Sequence, residues 1–441
     1  MADPLPLAPG LGDQRASGAV LDCWRSDGAA AAARQLKIQL AKQDRQQGGS
    51  SADPLLAELA LRLEGRSGPR LLVDGLWFCR PFGGISRVWE QILDCWSLPG
   101  LVTNSAPVAL IERNSHLALS ASFPNLQGAG VDPLDPEAVA ALAPENSALL
   151  KGWRADVFIS SWISSSGPER PSCPELALVH DCLPERYGVA APLAQLRRRW
   201  LKGATAHLAV SAATAADLEV LLSRPTGSLS WCHPAPAPLF GAPLQGPRGD
   251  RLWAKLIQRS GLQQPYLLLP ATSAIGSYKN PELVAEALAD PQLAPLQLVL
   301  CGIAAEQRCR ELEQRFPHLG GRCLAAGFTD LELALAYHHA LAVVIPSRAE
   351  GFGLPAVEAL ASGATVLVAD SPGLREAGGS AALRFHPQRP GELAALLALL
   401  LDPTSGWLQP HLACRRQKRL APLHADLIGL ALLALARRLA P

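Results

Sequence analysis

The sequence predicts an α/β protein of two doubly wound parallel-sheet domains, preceded by a helical extension. Three observations predict it. From about residue 70, short apolar runs alternate with helical stretches. A Pro-rich segment interrupts the alternation once, and the same alternation then restarts. Strands apolar along their whole length, separated by helices, mean parallel sheets covered on both faces.

In the first half, strands are expected over 71–75, 108–111, 157–160, 176–180 and 207–210, with helices over 85–96, 193–202 and 212–222. Residues 232–247, CHPAPAPLFGAPLQGP, read as the linker between domains. In the second half, strands fall at 266–269, 296–301, 322–325, 342–345 and 365–368, and helices at 281–288, 304–316, 331–339, 355–361 and 391–401. The divisions are 1–68 for an extension, helical or in part disordered, 69–247 and 248–410 for the two domains, and 411–441 for a C-terminal helix. In the extension, helices are expected over 29–43 and 55–63, around the polar breaker GGSSADP.

Composition excludes several classes. The 441 residues are 49% hydrophobic and 18% charged, too apolar for a largely disordered chain. Forty basic and thirty-nine acidic side chains leave a net charge of +1, so no overall field draws the protein to nucleic acid. The longest apolar runs, 393–401 and near 430–436, fall short of the roughly 20 residues a bilayer needs. No basic n-region precedes a hydrophobic core at the N-terminus, so a cytoplasmic location is expected. The ten cysteines hold no CxxC pair and do not cluster for zinc; Cys182, Cys232, Cys301 and Cys323 read as buried thiols.

The most informative segment is 346–363, PSRAEGFGLPAVEALASG. A strand ends, a loop carries Glu350 and a glycine-rich turn, and Pro355 suits the first helical position, which places Glu358 in the first turn. A helix start with glycines offers backbone N–H groups and partial positive charge to a phosphate. The carboxylates repel phosphate and instead suit hydroxyls, a vicinal diol above all. Phosphate plus polyol is what a nucleotide-sugar presents. The same pattern also fits a helix start whose acidic residues favour its dipole.

Glu350 and Glu358 form an E-x7-E motif around GFGLP. With this motif the chain resembles the retaining, metal-independent glycosyltransferases of the GT-B fold, in the large family 4 group (glycosyl transferases group 1). PFGGIS at 81–86, VHDCLPERYG at 179–188, VSAATAADL at 210–218, SYKN at 277–280, AGFTDLELALAY at 326–337 and SPGLREAGGSAALRFHP at 371–387 fit in order. The resemblance implies two Rossmann-like domains facing across a cleft, acceptor side first and donor side second, with the C-terminal helix crossing back onto the first.

The resemblance also implies roles. Glu350 contacts a donor-sugar hydroxyl, and the backbone amides of Phe352, Gly353 and Leu354 hold sugar hydroxyls or phosphate oxygens. Glu358 takes the ribose diol and Lys279 neutralises the diphosphate. Gly83 and Gly84 let the backbone close over the donor. His180 lies near the anomeric carbon, with Asp181 fixing its loop. An Arg usually found shortly before the Lys is missing from 270–276, which leaves Arg87 and Arg348 as candidates to replace it.

The implied reaction moves a hexose, with a preference for mannose, from a GDP- or UDP-sugar co-substrate to a glycan or lipid-linked saccharide in surface polysaccharide synthesis. It uses no metal and no further cofactor. The alternative is a non-catalytic GT-B scaffold that binds a nucleotide-sugar or a partner protein. Arg415, Arg416, Lys418 and Arg419 precede the apolar run 427–436, which raises a second expectation of peripheral contact at the inner membrane face.

Overall fold

The structure, a computed structural model, describes residues 10–47, 53–80, 83–102, 107–188, 191–241, 246–270 and 273–440. The chain divides into two units, Met1–Pro234 with Leu423–Pro441, and Ala235–Pro422.

In the first unit three helices precede the sheet: α1 (Gln14–Asp27), α2 (Ala29–Gln47) and α3 (Pro54–Leu63). The extension therefore carries one helix, α1, beyond the two expected. Asp53 starts α3 by accepting from the N–H groups of Leu55 and Leu56, each at 2.9 Å. Then come β1 (Leu71–Asp74), α4 (Gly84–Trp96), β2 (Val108–Glu112), β3 (Asn125–Gln127), α5 (Pro136–Ala141), α6 (Ala143–Trp153) and β4 (Val157–Ser160). They are followed by β5 (Glu175–Val179), α7 (Leu183–Tyr187), α8 (Ala191–Gly203), β6 (Ala206–Ala209), α9 (Ala212–Leu221) and β7 (Ser230–Trp231). The order is β3-β2-β1-β4-β5-β6-β7, with all neighbours parallel. Every residue of β1, β4 and β5 is buried, as strands covered on both faces require. The strand order reverses between β1 and β4, where Asp74 pairs with Ser160.

The second unit holds α10 (Pro247–Ser260), β8 (Tyr266–Leu269), α11 (Pro281–Ala287), β9 (Gln297–Cys301), α12 (Ala305–Arg315), β10 (Cys323–Ala326) and α13 (Asp330–His339). It continues with β11 (Ala342–Ile345), α14 (Leu354–Ala361), β12 (Val366–Ala369), α15 (Pro372–Gly378), β13 (Leu383–Phe385), α16 (Pro390–Leu401) and α17 (Leu408–Leu420). Its order is β10-β9-β8-β11-β12-β13, again parallel, with the reversal between β8 and β11. Both units are thus doubly wound.

The expected single C-terminal helix is two helices. Pro422 follows α17, and a proline has no N–H to continue a helix. After it the chain rejoins the first unit as α18 (Leu427–Leu439), which packs on α3 and α4. Every residue from Leu427 to Ala436 is buried there, so this apolar run is not a free lipid-facing surface. Trp96 donates Nε1–H to the carbonyl of Gly429 at 3.0 Å, and a Cβ at Gly429 would stand 2.8 Å from Cys95. Cys323, expected to be buried, is half-buried because it opens the edge strand β10.

Candidate functional site

In a doubly wound sheet, ligands sit beyond the carboxyl ends of the strands where the strand order reverses. In the second unit that point lies past β8 and β11. A small depression of about 20 Å³ opens there, and its walls include Leu269, Ile345, Lys279, Glu350 and Pro355.

Two of the expected site residues meet directly. Lys279 donates from Nζ to Glu350 Oε1 at 2.7 Å, across 71 positions of sequence. The side chains are 21% and 13% exposed, so the pair lies at the wall of the depression and is partly shielded from water. Its position depends on Asn280. That residue is 1% exposed and sits at φ +56°, a left-handed conformation that asparagine tolerates. Its amide donates to the carbonyls of Pro346 at 3.2 Å and Pro387 at 2.9 Å, and its Oδ1 accepts from Arg348 Nη2 at 3.0 Å. Arg348 N–H also donates to the Tyr278 carbonyl at 2.8 Å. The turn carrying Lys279 is thereby tied to the loop carrying Glu350. Asn280 was not singled out from sequence; an Asn before the Pro that opens a helix is the signal that could have found it.

The glycine turn is shaped by conformation. Gly353 caps α14 at φ +105°, and a Cβ there would stand 2.7 Å from Leu374 Cδ2. Gly373 lets α15 approach closely, since a Cβ would come within 2.3 Å of the Glu350 carbonyl oxygen. Phe352 is buried, with the Arg419 guanidinium 5.8 Å from its ring centre. Arg419 donates Nε–H to the Ala377 carbonyl at 2.8 Å, while its Nη2 is shielded and unpaired. Burial pulls this guanidinium down to about 10. Sequence reading grouped Arg419 with a surface basic cluster, but the structure seats it behind the Phe352 loop.

Leu354 opens α14 and Pro355 is its second residue, so Glu358 lies past the first turn rather than within it. The left-handed Gly353 lets the helix begin one residue earlier than the proline implied. Glu358 is 2% exposed. Of the two arginines considered as replacements, Arg348 is engaged by Asn280 and lies 3.5 Å from Glu282, and Arg87 lies on α4 in the first unit. Ser277 Oγ and Glu282 Oε2, on either side of Lys279 in the chain, and Ser371 Oγ are shielded atoms without partners.

The remaining expected residues lie in the first unit. Gly83 caps α4 at φ +122°, which favours glycine, whereas a Cβ at Gly84 would meet nothing within 4 Å. Residues 81 and 82 of the expected glycine loop lie outside the described residues. His180 follows β5 directly; its Nε2 is shielded and unpaired, and burial, with the nearby charge of Arg197, pushes it down to about 3. It is therefore a neutral imidazole at ordinary pH. Asp181 accepts from the Leu183 N–H at 3.1 Å, which fixes the turn after it. Among the described residues, no group of three or more His, Cys, Asp or Glu side chains could hold a metal ion.

Residues 254–406 match the family Glycosyl transferases group 1. The chain is 41% identical over 81 residues to an MMP alpha-(1->4)-mannosyltransferase of Mycolicibacterium hassiacum, a match covering 18% of this chain and 20% of that protein. The chain thus spans about a fifth of that curated relative's length. Sucrose-phosphate synthase from Thermosynechococcus elongatus is similar in structure, with a TM-score of 0.63 at 21% identity, covering 84% of this chain and 99% of that one. Anabaena HepE in complex with UDP-glucose gives a TM-score of 0.60 at 16% identity, covering 83% and 98%. These likenesses establish the GT-B type of fold, two Rossmann-like parallel-sheet units.

Proposed function

We propose that the protein is a glycosyltransferase that takes a hexose from a nucleoside diphosphate sugar bound to its second unit and passes it to a saccharide acceptor with retention of configuration. The observation that carries the reading is the Lys279–Glu350 pair at the strand-order reversal, beside the amino end of α14. A cation and a helix start supply positive charge where the departing diphosphate accumulates negative charge, a preorganised electrostatic contribution. Glu350 offers carboxylate oxygens to sugar hydroxyls, and Glu358 to the ribose diol.

In this reading the donor separates the pair: Lys279 turns to the diphosphate and Glu350 to the sugar. The positive charge on Lys279 and α14 does the work that many transferases assign to a metal. The mannosyltransferase likeness, confined to 81 residues, supports mannose as the sugar, and the HepE complex with UDP-glucose supports a uridine nucleotide as the carrier. The acceptor is a glycan or lipid-linked saccharide of surface polysaccharide synthesis.

The test is release of nucleoside diphosphate from UDP-, GDP- and ADP-sugars by the purified protein. Release from one series, lowered at least about tenfold by Lys279→Ala, supports the reading, a factor worth about 1.4 kcal/mol of barrier. Release from none of them favours the scaffold that binds without transfer.

A further inference from the structure

We propose that Cys309 and Cys323 form a modification site in the second unit, where hydrogen peroxide closes them into a disulfide that staples the edge strand β10 to α12. The inference does not depend on the glycosyltransferase reading.

Folding brings the two thiols together across 14 positions of sequence. Cys309 lies on α12, the helix that follows β9, and Cys323 is the first residue of β10. The helix packs on both strands, and the sulfurs stand 3.0 Å apart. A disulfide needs about 2.05 Å between sulfurs, so closure asks for a shift of about 1 Å, within the reach of side-chain rotation.

Both backbones are held in place. Arg322, just before Cys323, donates from Nη2 to the Leu293 carbonyl at 2.6 Å and from Nε to the Leu296 carbonyl at 3.1 Å. Its own carbonyl accepts from the Leu298 N–H at 2.8 Å. Glu313, one turn beyond Cys309, accepts at Oε1 from the Gly321 N–H at 3.1 Å, which ties the helix to the turn before β10. Each sulfur therefore meets the other at a high effective concentration. Other cysteines are placed differently: Cys95 donates Sγ–H to the Asp426 carbonyl at 3.2 Å and Cys232 to that of His233 at 3.9 Å, partners that offer no second sulfur.

The position in the sheet gives the bond a use. β10 ends the sheet with β9 as its paired neighbour, and Cys323, Leu324 and Ala325 are half-buried. A strand paired on one side opens more readily than a central one. A disulfide from 309 to 323 closes a short loop and removes conformations from the unfolded chain.

Exposure sets the order of events. Cys323 is half-buried and Cys309 only 6% exposed, so Cys323 meets the peroxide. Its sulfur attacks one peroxide oxygen, the O–O bond breaks, and Cys323 becomes a sulfenic acid as the first water leaves. The Cys309 sulfur then attacks the Cys323 sulfur. The S–O bond breaks, the S–S bond forms, and the hydroxyl leaves with the Cys309 proton as a second water. Two thiols are oxidised by two electrons, and one peroxide is reduced to two waters. Cys323 donates Sγ–H to Cys309, and that bond together with burial holds the Cys323 thiol above its ordinary range. Its thiolate is scarce at neutral pH, so closure is slow and answers sustained rather than brief exposure. In a reducing compartment the pair rests as two thiols.

The experiment treats the full chain with excess hydrogen peroxide, blocks remaining thiols with iodoacetamide and reads a tryptic digest by mass spectrometry. Trypsin cuts after Arg308, Arg310, Arg322 and Arg348, so the bond joins peptide 309–310 to peptide 323–348, each with one cysteine. The expected result is that joined peptide, absent before peroxide and absent again after dithiothreitol. The melting temperature of the peroxide-treated protein stands at least about 3 °C above that of the same sample after dithiothreitol. Cys309→Ser and Cys323→Ser each lose the joined peptide and the rise. The digest of the unmodified chain needs no variant to fold. Both cysteines carrying the block after prolonged peroxide, Cys323 driven to sulfinic acid with no joined peptide, or a joined peptide without a rise in melting temperature each overturn the proposal.

Discussion

Lys279 Nζ and Glu350 Oε1 stand 2.7 Å apart, so the two residues expected to hold opposite ends of the donor hold each other. The pair is partly shielded, and removing one member takes from the other an ion-pair partner that water only partly replaces. A ligand that brings a diphosphate to Lys279 and hydroxyls to Glu350 satisfies both groups at once.

Lys279→Ala and Glu350→Ala should each lower turnover at least about tenfold with the fold intact, and the double variant should lose less than the sum of the two. Kinetics with circular dichroism on all four proteins checks this. Strict additivity would mean the pair plays no joint part.

Gly353→Ala places a Cβ at φ +105° and 2.7 Å from Leu374. It should cost about 1–3 kcal/mol of stability. Gly373→Ala should push the Glu350 carbonyl aside and weaken nucleotide binding more than it lowers the melting temperature, because its Cβ would meet the loop itself at 2.3 Å. Calorimetry beside nucleotide titration separates the two effects.

Much of this site is legible in the sequence, and the reasons differ by residue. The buried strands β1, β4, β8 and β11 were readable because apolar runs covered on both faces leave no ambiguity. The edge strands β3 and β13 were not, since each is three residues long with no apolar run, β3 being largely exposed and β13 burying Phe385. The helix α10 was missed because Pro247, at its amino end, closed a Pro-rich stretch. Glu350 and the glycine turn showed through local chemistry. The Lys279–Glu350 bond, the Asn280 tie and the seat of Arg419 did not, because each joins distant segments and has no local pattern.

Arg419→Met keeps much of the side-chain packing and removes a shielded charge whose Nη2 has no partner. Stability should change by no more than about 1 kcal/mol. Loss of the contact with Phe352 and of the bond to Ala377 should nevertheless raise the donor KM with kcat little changed, and Arg419→Lys should restore part of it. An unaltered KM would leave Arg419 a packing residue only.

His180, held near 3 by burial and by Arg197, titrates well below its value of about 6.5 in an unfolded chain. The unfolded chain therefore takes the proton first, and stability should fall as pH drops below about 6.5, by at most about 2 kcal/mol between pH 7 and 5 from this residue. His207 and His339, also lowered by burial, add slope in the same direction. In His180→Gln the difference in melting temperature between pH 7 and 5 should shrink. An unchanged difference would show that His180 takes up protons in the native state.

The most direct test of the donor site is a thermal-shift panel of UDP, GDP and ADP with their sugar conjugates. A ligand at a hundredfold excess over its Kd stabilises the fold by about 2.7 kcal/mol. One nucleotide series should raise the melting temperature, and Lys279→Ala and Glu358→Ala should abolish the rise. No shift with any nucleotide would contradict the account and leave the second unit without a donor.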